Sequence, residues 1–150
     1  MAEAPTDPVD FVRMLAPWGA ELCLRVAATF VHECLPEFES HQADERPRRA
    51  VESVRDWLAC PCDAHAVAAD RAREGAWVAF QAARHLSGVA RAASFLARAL
   101  GSVSGRDPRG DVGFAVHDAV QAVKFLARRR GALAGRVAVV TLELSTWALA

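Results

Sequence analysis

Residues Glu33–Trp57 read ECLPEFESHQADERPRRAVESVRDW, and the second half of this stretch decides the fold class. Ser40–Ala43 interrupt an acidic run, and Asp44-Glu45-Arg46-Pro47-Arg48-Arg49 then open an amphipathic segment. Asp44 has the chemistry of an N-cap, because a carboxylate there accepts from amide groups that the first turn leaves unpaired. Pro47 falls inside that first turn, where a missing N–H costs nothing and φ is already helical. Beyond it Ala50, Val51, Val54, Trp57 and Leu58 recur at helical spacing, with Arg48, Arg49, Glu52, Arg55 and Asp56 on the other side. The pattern predicts a helix from about Arg46 to Ala59, with Trp57 buried and Cys60-Pro61-Cys62 as the stop.

Toward the N-terminus, Leu22, Val26, Ala27, Phe30, Cys34 and Phe38 trace one face of a long helix starting near Trp18. Pro36 removes one backbone bond from it and predicts a kink or a stop near Cys34. Asp7-Pro8 reads as a cap and first-turn proline for a short helix through Val9, Val12, Leu15 and Ala16. Pro17 ends that helix or restarts the next. Residues 1–6 read as a disordered end.

Toward the C-terminus, Asp63 is expected to cap a fourth helix. Its inward stripe would be Ala64, Val67, Ala68, Ala72, Ala76, Ala79, Phe80 and Ala83, and Gly75 need not break it. Ser87-Gly88 could interrupt the chain after it, but Arg84, Arg91 and Arg98 fall seven residues apart. That spacing favours one continuous helix with a solvent stripe and with Val89, Ala93, Leu96 and Leu100 inside. Gly101–Gly110 reads as a loop. Asp107 or Asp111 caps the next helix, with Val112, Val116, Ala119, Val120, Val123 and Ala127 inside and His117, Gln121, Lys124 and Arg128 outside. Arg128-Arg129-Arg130 suits its C-terminal end, where cations meet the negative pole of the dipole. In the last segment Val140–Ser145 alternates like a strand, yet Leu133, Val137, Val140, Leu144 and Trp147 fit a helical stripe and no second strand offers itself as partner. The expected architecture is all-α: a single-domain bundle of six or seven helices over residues 7–150.

The 150 residues suffice for one domain with a sizeable core. The chain is formally neutral, yet residues 1–75 hold 14 acids against 8 bases and residues 76–150 hold 4 against 10. Pairing between the two halves of one bundle accounts for such asymmetry more simply than a charged partner does. No basic-then-apolar leader is visible, and charged residues interrupt every long apolar stretch, so a cytoplasmic protein without a membrane span is expected. In that compartment Cys23, Cys34, Cys60 and Cys62 read as reduced thiols. Nucleic acid is not an expected partner: the neutral chain carries no recognised binding motif, and Arg128–Arg130 are accounted for as a helix end.

The order Leu35-Pro36-Glu37-Phe38-Glu39, a short polar loop, Asp44-Glu45-Arg46-Pro47-Arg48-Arg49-Ala50-Val51-Glu52 and Arg55-Asp56-Trp57 resembles the signature of an immunity-protein family of bacterial polymorphic toxin systems. The likeness covers Glu33–Trp57. Of the Ala/His-rich repeats that the family carries later in its chain, Gly113-Phe114-Ala115-Val116-His117 and Ala119 are a loose counterpart. The resemblance implies a protein that binds and neutralises a cognate toxin, with no catalysis and no cofactor. On that footing Asp44, Arg46, Pro47, Arg48 and Trp57 are structural residues of the motif, the arginines pairing back toward the glutamates. Glu33, Glu37 and Glu39 form an acidic ridge suited to the basic site of a toxin that acts on nucleic acid. The alternative is a small helical ligand- or metal-binding protein on the same scaffold.

Two constellations bear on that alternative. Cys60-Pro61-Cys62-Asp63-Ala64-His65 sets thiol and imidazole donors on a helix-entry loop, with His32 and Cys34 as a further pair. Structural zinc sites use Cys-x2–4-Cys spacing, however, so Cys60 is expected buried at a helix end, Cys62 in a turn and His65 in a first turn, with no metal. Glu33, Glu37 and Asp56 or Glu52 could meet across two helices with Arg46 and Arg49 as an acid–base site. A surface ion-pair network is the simpler outcome, and no catalytic residue is assigned.

Overall fold

The computed structural model describes residues 8–83, 87–106 and 112–126. The α-helices among them are Pro8–Met14 (α1), Ala20–His41 (α2), Arg46–Ala59 (α3), Asp63–Ala82 (α4), Ser87–Val103 (α5) and Val112–Lys124 (α6), with a short 3-10 turn at Ala16–Trp18. No strand occurs among the described residues, and the chain is an all-α bundle. None of these helices is long and apolar enough to cross a membrane. The expectations for residues 1–6, Asp7, Arg84, Asp107 or Asp111, Ala127, Arg128–Arg130 and the final segment fall outside the described residues.

α2 and α5 form the centre. α2 packs on α1, α3, α5 and α6, while α5 packs on α2, α3, α4 and α6. Leu24, Phe30, Val31, Leu35 and Phe38 of α2 are buried, as are Val89, Ala93, Leu96 and Leu100 of α5, the four positions expected to face inward. α3 has the bounds its sequence pattern predicts, and Ala50, Val51, Val54, Trp57 and Leu58 are its buried stripe together with Pro47.

Elsewhere the structure departs from the sequence pattern. α2 does not stop near Cys34 but runs through Pro36 to His41. Leu35 and Phe38 flank the proline and are 0% and 1% exposed. Burying two such side chains contributes about 1.5–3 kcal/mol each, enough to offset a proline penalty of about 3 kcal/mol. Asp63 is the first residue of α4 rather than its cap; Cys62 occupies the cap position. The first half of α4 is also turned relative to the expected stripe: Ala66 and Ala69 are buried, whereas Ala64 and Ala68 are exposed. α4 and α5 are separate helices. Ala83 closes α4 in an extended conformation, its N–H donating to the Ala79 carbonyl. At the start of α5, a Cβ on Gly88 would run into the Phe125 carbonyl oxygen, so glycine lets this helix end lie against the end of α6.

The supposed solvent stripe of arginines is engaged as well. The Arg91 guanidinium lies 4.1 Å from the Phe125 ring centroid and 5.1 Å from that of Phe80, joining α5 to α4 and to the turn that follows α6. Arg98 pairs with Asp118 of α6 at 3.5 Å. The expected loop starts late, because Gly101–Val103 still belong to α5 and Ser102 is buried.

Trp57 is only 8% exposed. Trp57→Ala should therefore cost about 3–5 kcal/mol in denaturant unfolding, and a loss below about 1 kcal/mol would place the indole outside the core. Gly75 sits inside α4 without a positive φ, and an added Cβ would meet the Arg46 side-chain carbons at an ordinary 3.6 Å. Gly75→Ala should accordingly raise stability by about 0.5–1 kcal/mol; a lower unfolding midpoint would show that α4 needs the closer approach.

Candidate functional site

The corner where α2 turns into α3 gathers the residues of the Asp-x-Arg-Pro-Arg segment. Gln42–Glu45 make the turn, and the Gln42 N–H closes α2 by donating to the Phe38 carbonyl at 2.9 Å. Glu45 takes the cap position of α3 without a side-chain cap bond. Asp44, one residue earlier, does the capping chemistry: its Oδ1 accepts the Arg46 backbone N–H at 3.0 Å. The same carboxylate holds the Arg46 guanidinium through Nε at 2.9 Å and Nη2 at 2.6 Å. Pro47 is buried beneath this turn.

Arg48 clamps the two helices. Its Nε and Nη2 reach the two oxygens of Glu39 on α2 at 2.7 and 2.6 Å, a fork-on-fork pair. Its Nη1 donates to Glu52 at 3.4 Å, and Glu52 in turn lies 3.6 Å from His32 of α2. At the opposite end, Arg25 of α2 donates to the Leu58 carbonyl at 3.3 Å, satisfying one of the acceptors a helix leaves unpaired at its C-terminus. α2 and α3 are thus an antiparallel pair fastened at both ends.

The arginines do pair with carboxylates, and Glu39 of the expected ridge is taken up in the clamp. Glu33 is exposed and Glu37 half-buried on α2. The supposed acid–base set is divided differently: Arg46 goes to Asp44, Arg49 to Glu45 at 3.3 Å, and Asp56 stays at the surface. Arg46 and Arg49 stand between two clefts. One, of about 520 Å³, is bounded by Glu39, Gln42, Asp44 and Glu45. The other, of about 800 Å³, runs between α3 and α4 over Ala68, Ala72 and Gly75, with Arg48 and Arg71 on its rim.

The Arg48 fork holds Glu39 below the ordinary carboxylate range, and the Arg46 side-chain hydrogen bonds do the same for Asp44. Both arginines are pushed up by the same bonds.

At the α3–α4 turn, Cys60, Cys62 and a ring nitrogen of His65 lie within 4.8 Å of one another. His32 and Cys34 are not part of this group: His32 faces Glu52, and Cys34 is buried in α2. None of the four cysteines is paired in a disulfide.

Sequence reasoning passed over Asp118. It is fully buried on α6, against Arg98 at 3.5 Å and His117 at 3.4 Å. The available signal was its place on the apolar stripe, beside Ala115, Ala119 and Ala122, where a carboxylate persists only with partners.

Comparison with protein-family models, with curated proteins and with solved structures finds no match.

The corner carries a pH prediction. Glu39 and Asp44 hold their protons less tightly folded than unfolded, so the unfolded chain takes up more protons in acid. Their stabilisation is complete above the ordinary carboxylate range and is lost as pH falls through the lowered folded values. Melting temperature should drop between about pH 5 and pH 3, and Glu39→Gln with Asp44→Asn should lower it at neutral pH and flatten that dependence. Parallel pH profiles for the two proteins would show that these pairs add nothing to stability.

Proposed function

We propose that this chain is a non-catalytic binding protein of the immunity type, which neutralises a cognate bacterial toxin in the cytoplasm by occupying it. The observation that carries this reading is a coincidence of two kinds of pattern. Glu39, Asp44, Arg46, Pro47, Arg48 and Glu52, six residues of the stretch that resembles the immunity-protein signature, are held in the α2–α3 corner by ion pairs and proline burial. A chain that needed only a helix turn there could use far fewer charged contacts. A rigid corner presents its outer carboxylates in fixed positions, which cuts the ordering cost of association.

Glu33 and Glu37 lie one helical turn apart on α2, beside the corner. Against the basic site of a toxin acting on nucleic acid, they raise the encounter rate and set orientation. Glu39 supports this surface from behind rather than forming it, because Arg48 holds both its oxygens.

The test is to find whether a toxin-domain protein is encoded beside this chain, and to co-express and bind the two. Growth should be restored, and the purified pair should associate with a rate that falls as salt rises. Glu33→Lys with Glu37→Lys should slow association at least about tenfold at low salt. Glu39→Gln should instead lower the melting temperature and affect binding through the loosened corner. If neither protection nor a complex is seen, the immunity reading fails; if the complex forms but ignores the Glu33/Glu37 reversal, its surface lies elsewhere on the bundle.

A further inference from the structure

The turn between α3 and α4 brings together three soft donors that the corner does not use. Cys60 ends α3, Pro61 comes next, and Cys62 is the cap residue of α4. His65 lies three residues further on, in the first turn of α4, so its side chain returns to the same face as Cys62. The two sulfurs and a His65 ring nitrogen fall within 4.8 Å of one another. In a tetrahedral zinc site, bonds of about 2.3 Å to sulfur and 2.0–2.1 Å to nitrogen put neighbouring donors about 3.5–3.8 Å apart. Side-chain rotation on the order of an ångström closes the difference, and the backbone stays where it is.

The turn is also held in place. The Cys60 N–H donates to the Asp56 carbonyl at 2.9 Å, and the Ala66 N–H donates to the Cys62 carbonyl at 3.0 Å. Proline fixes φ between the two cysteines. His65 Nδ1 lies 2.8 Å from the Cys60 carbonyl oxygen. A carbonyl only accepts, so Nδ1 carries the proton and Nε2 is the nitrogen whose lone pair is left for an ion. Metal-ligating histidines commonly use this arrangement: one nitrogen binds the ion while the other donates to a backbone carbonyl.

We propose that Cys60, Cys62 and His65 form a binding site for zinc, with three protein ligands and a fourth position open to solvent. The donor set selects a thiophilic ion over magnesium or calcium, which take oxygen ligands. Both cysteines are exposed, so an ion reaches them without unfolding the bundle. The Cys-x-Cys spacing, short for a structural zinc finger, is compatible here because the third donor comes from the start of α4. The open position makes the ion exchangeable, unlike one enclosed by four protein ligands. Zinc binding at this turn is independent of toxin binding at the α2–α3 corner.

The experiment is titration of the reduced full-length chain with cobalt(II), then with zinc. One equivalent of cobalt should produce a thiolate charge-transfer band and the intense visible bands of a tetrahedral ion, and zinc should bleach them. Cys60→Ser with Cys62→Ser should abolish the signal while the helical circular dichroism is kept. His65→Ala should weaken binding at least about tenfold, the scale on which even outer-shell changes act. Absence of the band in the wild-type chain overturns the proposal, as does its survival in the double cysteine variant. Should that variant fail to fold, unchanged cobalt affinity in His65→Ala overturns it equally.

Discussion

The buried residues of α4 are alanines throughout: Ala66, Ala69, Ala76 and Ala79. Burying one methyl group contributes about 0.8 kcal/mol, a fraction of what a leucine supplies. A helix with such a face is held chiefly by close approach and summed dispersion contacts, and the smooth face says little about rotation or register. The larger side chains sit in α2, α3 and α5, where Phe30, Phe38, Leu24, Leu35, Trp57, Leu96 and Leu100 fill the core. Polar and aromatic contacts then fix what alanine leaves unspecified. Arg91 reaches three aromatic rings, on α4, on α5 and in the turn after α6, Arg98 meets the buried Asp118, and the Arg46 stem passes beside Gly75. The arginines are part of the packing as much as of the surface.

The α2–α3 corner applies the same principle with fuller pairing. An exposed pair such as Arg49–Glu45 contributes little, since solvent screens it and two long side chains must be ordered to make it. The Arg48–Glu39 fork differs, being bidentate and about 30% exposed on each side. It joins residues from two helices and fixes their crossing. With Arg25 at the other end of the pair, α3 cannot slide along α2 without breaking contacts at both ends.

Legibility in the sequence depends on where each determinant lies. α3 was readable to the residue because its signals are local: Asp44 and Pro47 at the start, a contrasted apolar stripe, and Cys60-Pro61 at the end. α4 was misread in register because Ala64, Ala66, Ala68 and Ala69 carry no contrast from which to choose a face. The separation of α4 from α5 had a local sign in Ser87-Gly88, but the seven-residue spacing of the arginines was weighed above it, and the close approach of Gly88 to Phe125 comes from far along the chain. The same distance hid the roles of Arg91 and Arg98. Asp118 was visible as a charge on an apolar stripe, but its partner came from another helix. The pairing of arginines with glutamates was expected, but not that Glu39, assigned to an acidic ridge, would serve the clamp. For Cys60, Cys62 and His65 the spacing rule weighed against a cluster that the start of α4 assembles by ordinary helical geometry.

The connectivity also sets an order of events at the ribosome. α1 and α2 pack on α6, the last described helix, while α3, α4 and α5 each pack on the helix before them. As the chain emerges, α2 carries a face of Leu24, Phe30, Leu35 and Phe38 that α3 and α5 cover only in part. That face stays accessible to water until α6 has been synthesised and returns to it. A nascent or truncated chain ending before Val112 therefore leaves part of this apolar face uncovered, the kind of surface through which incomplete chains associate with one another.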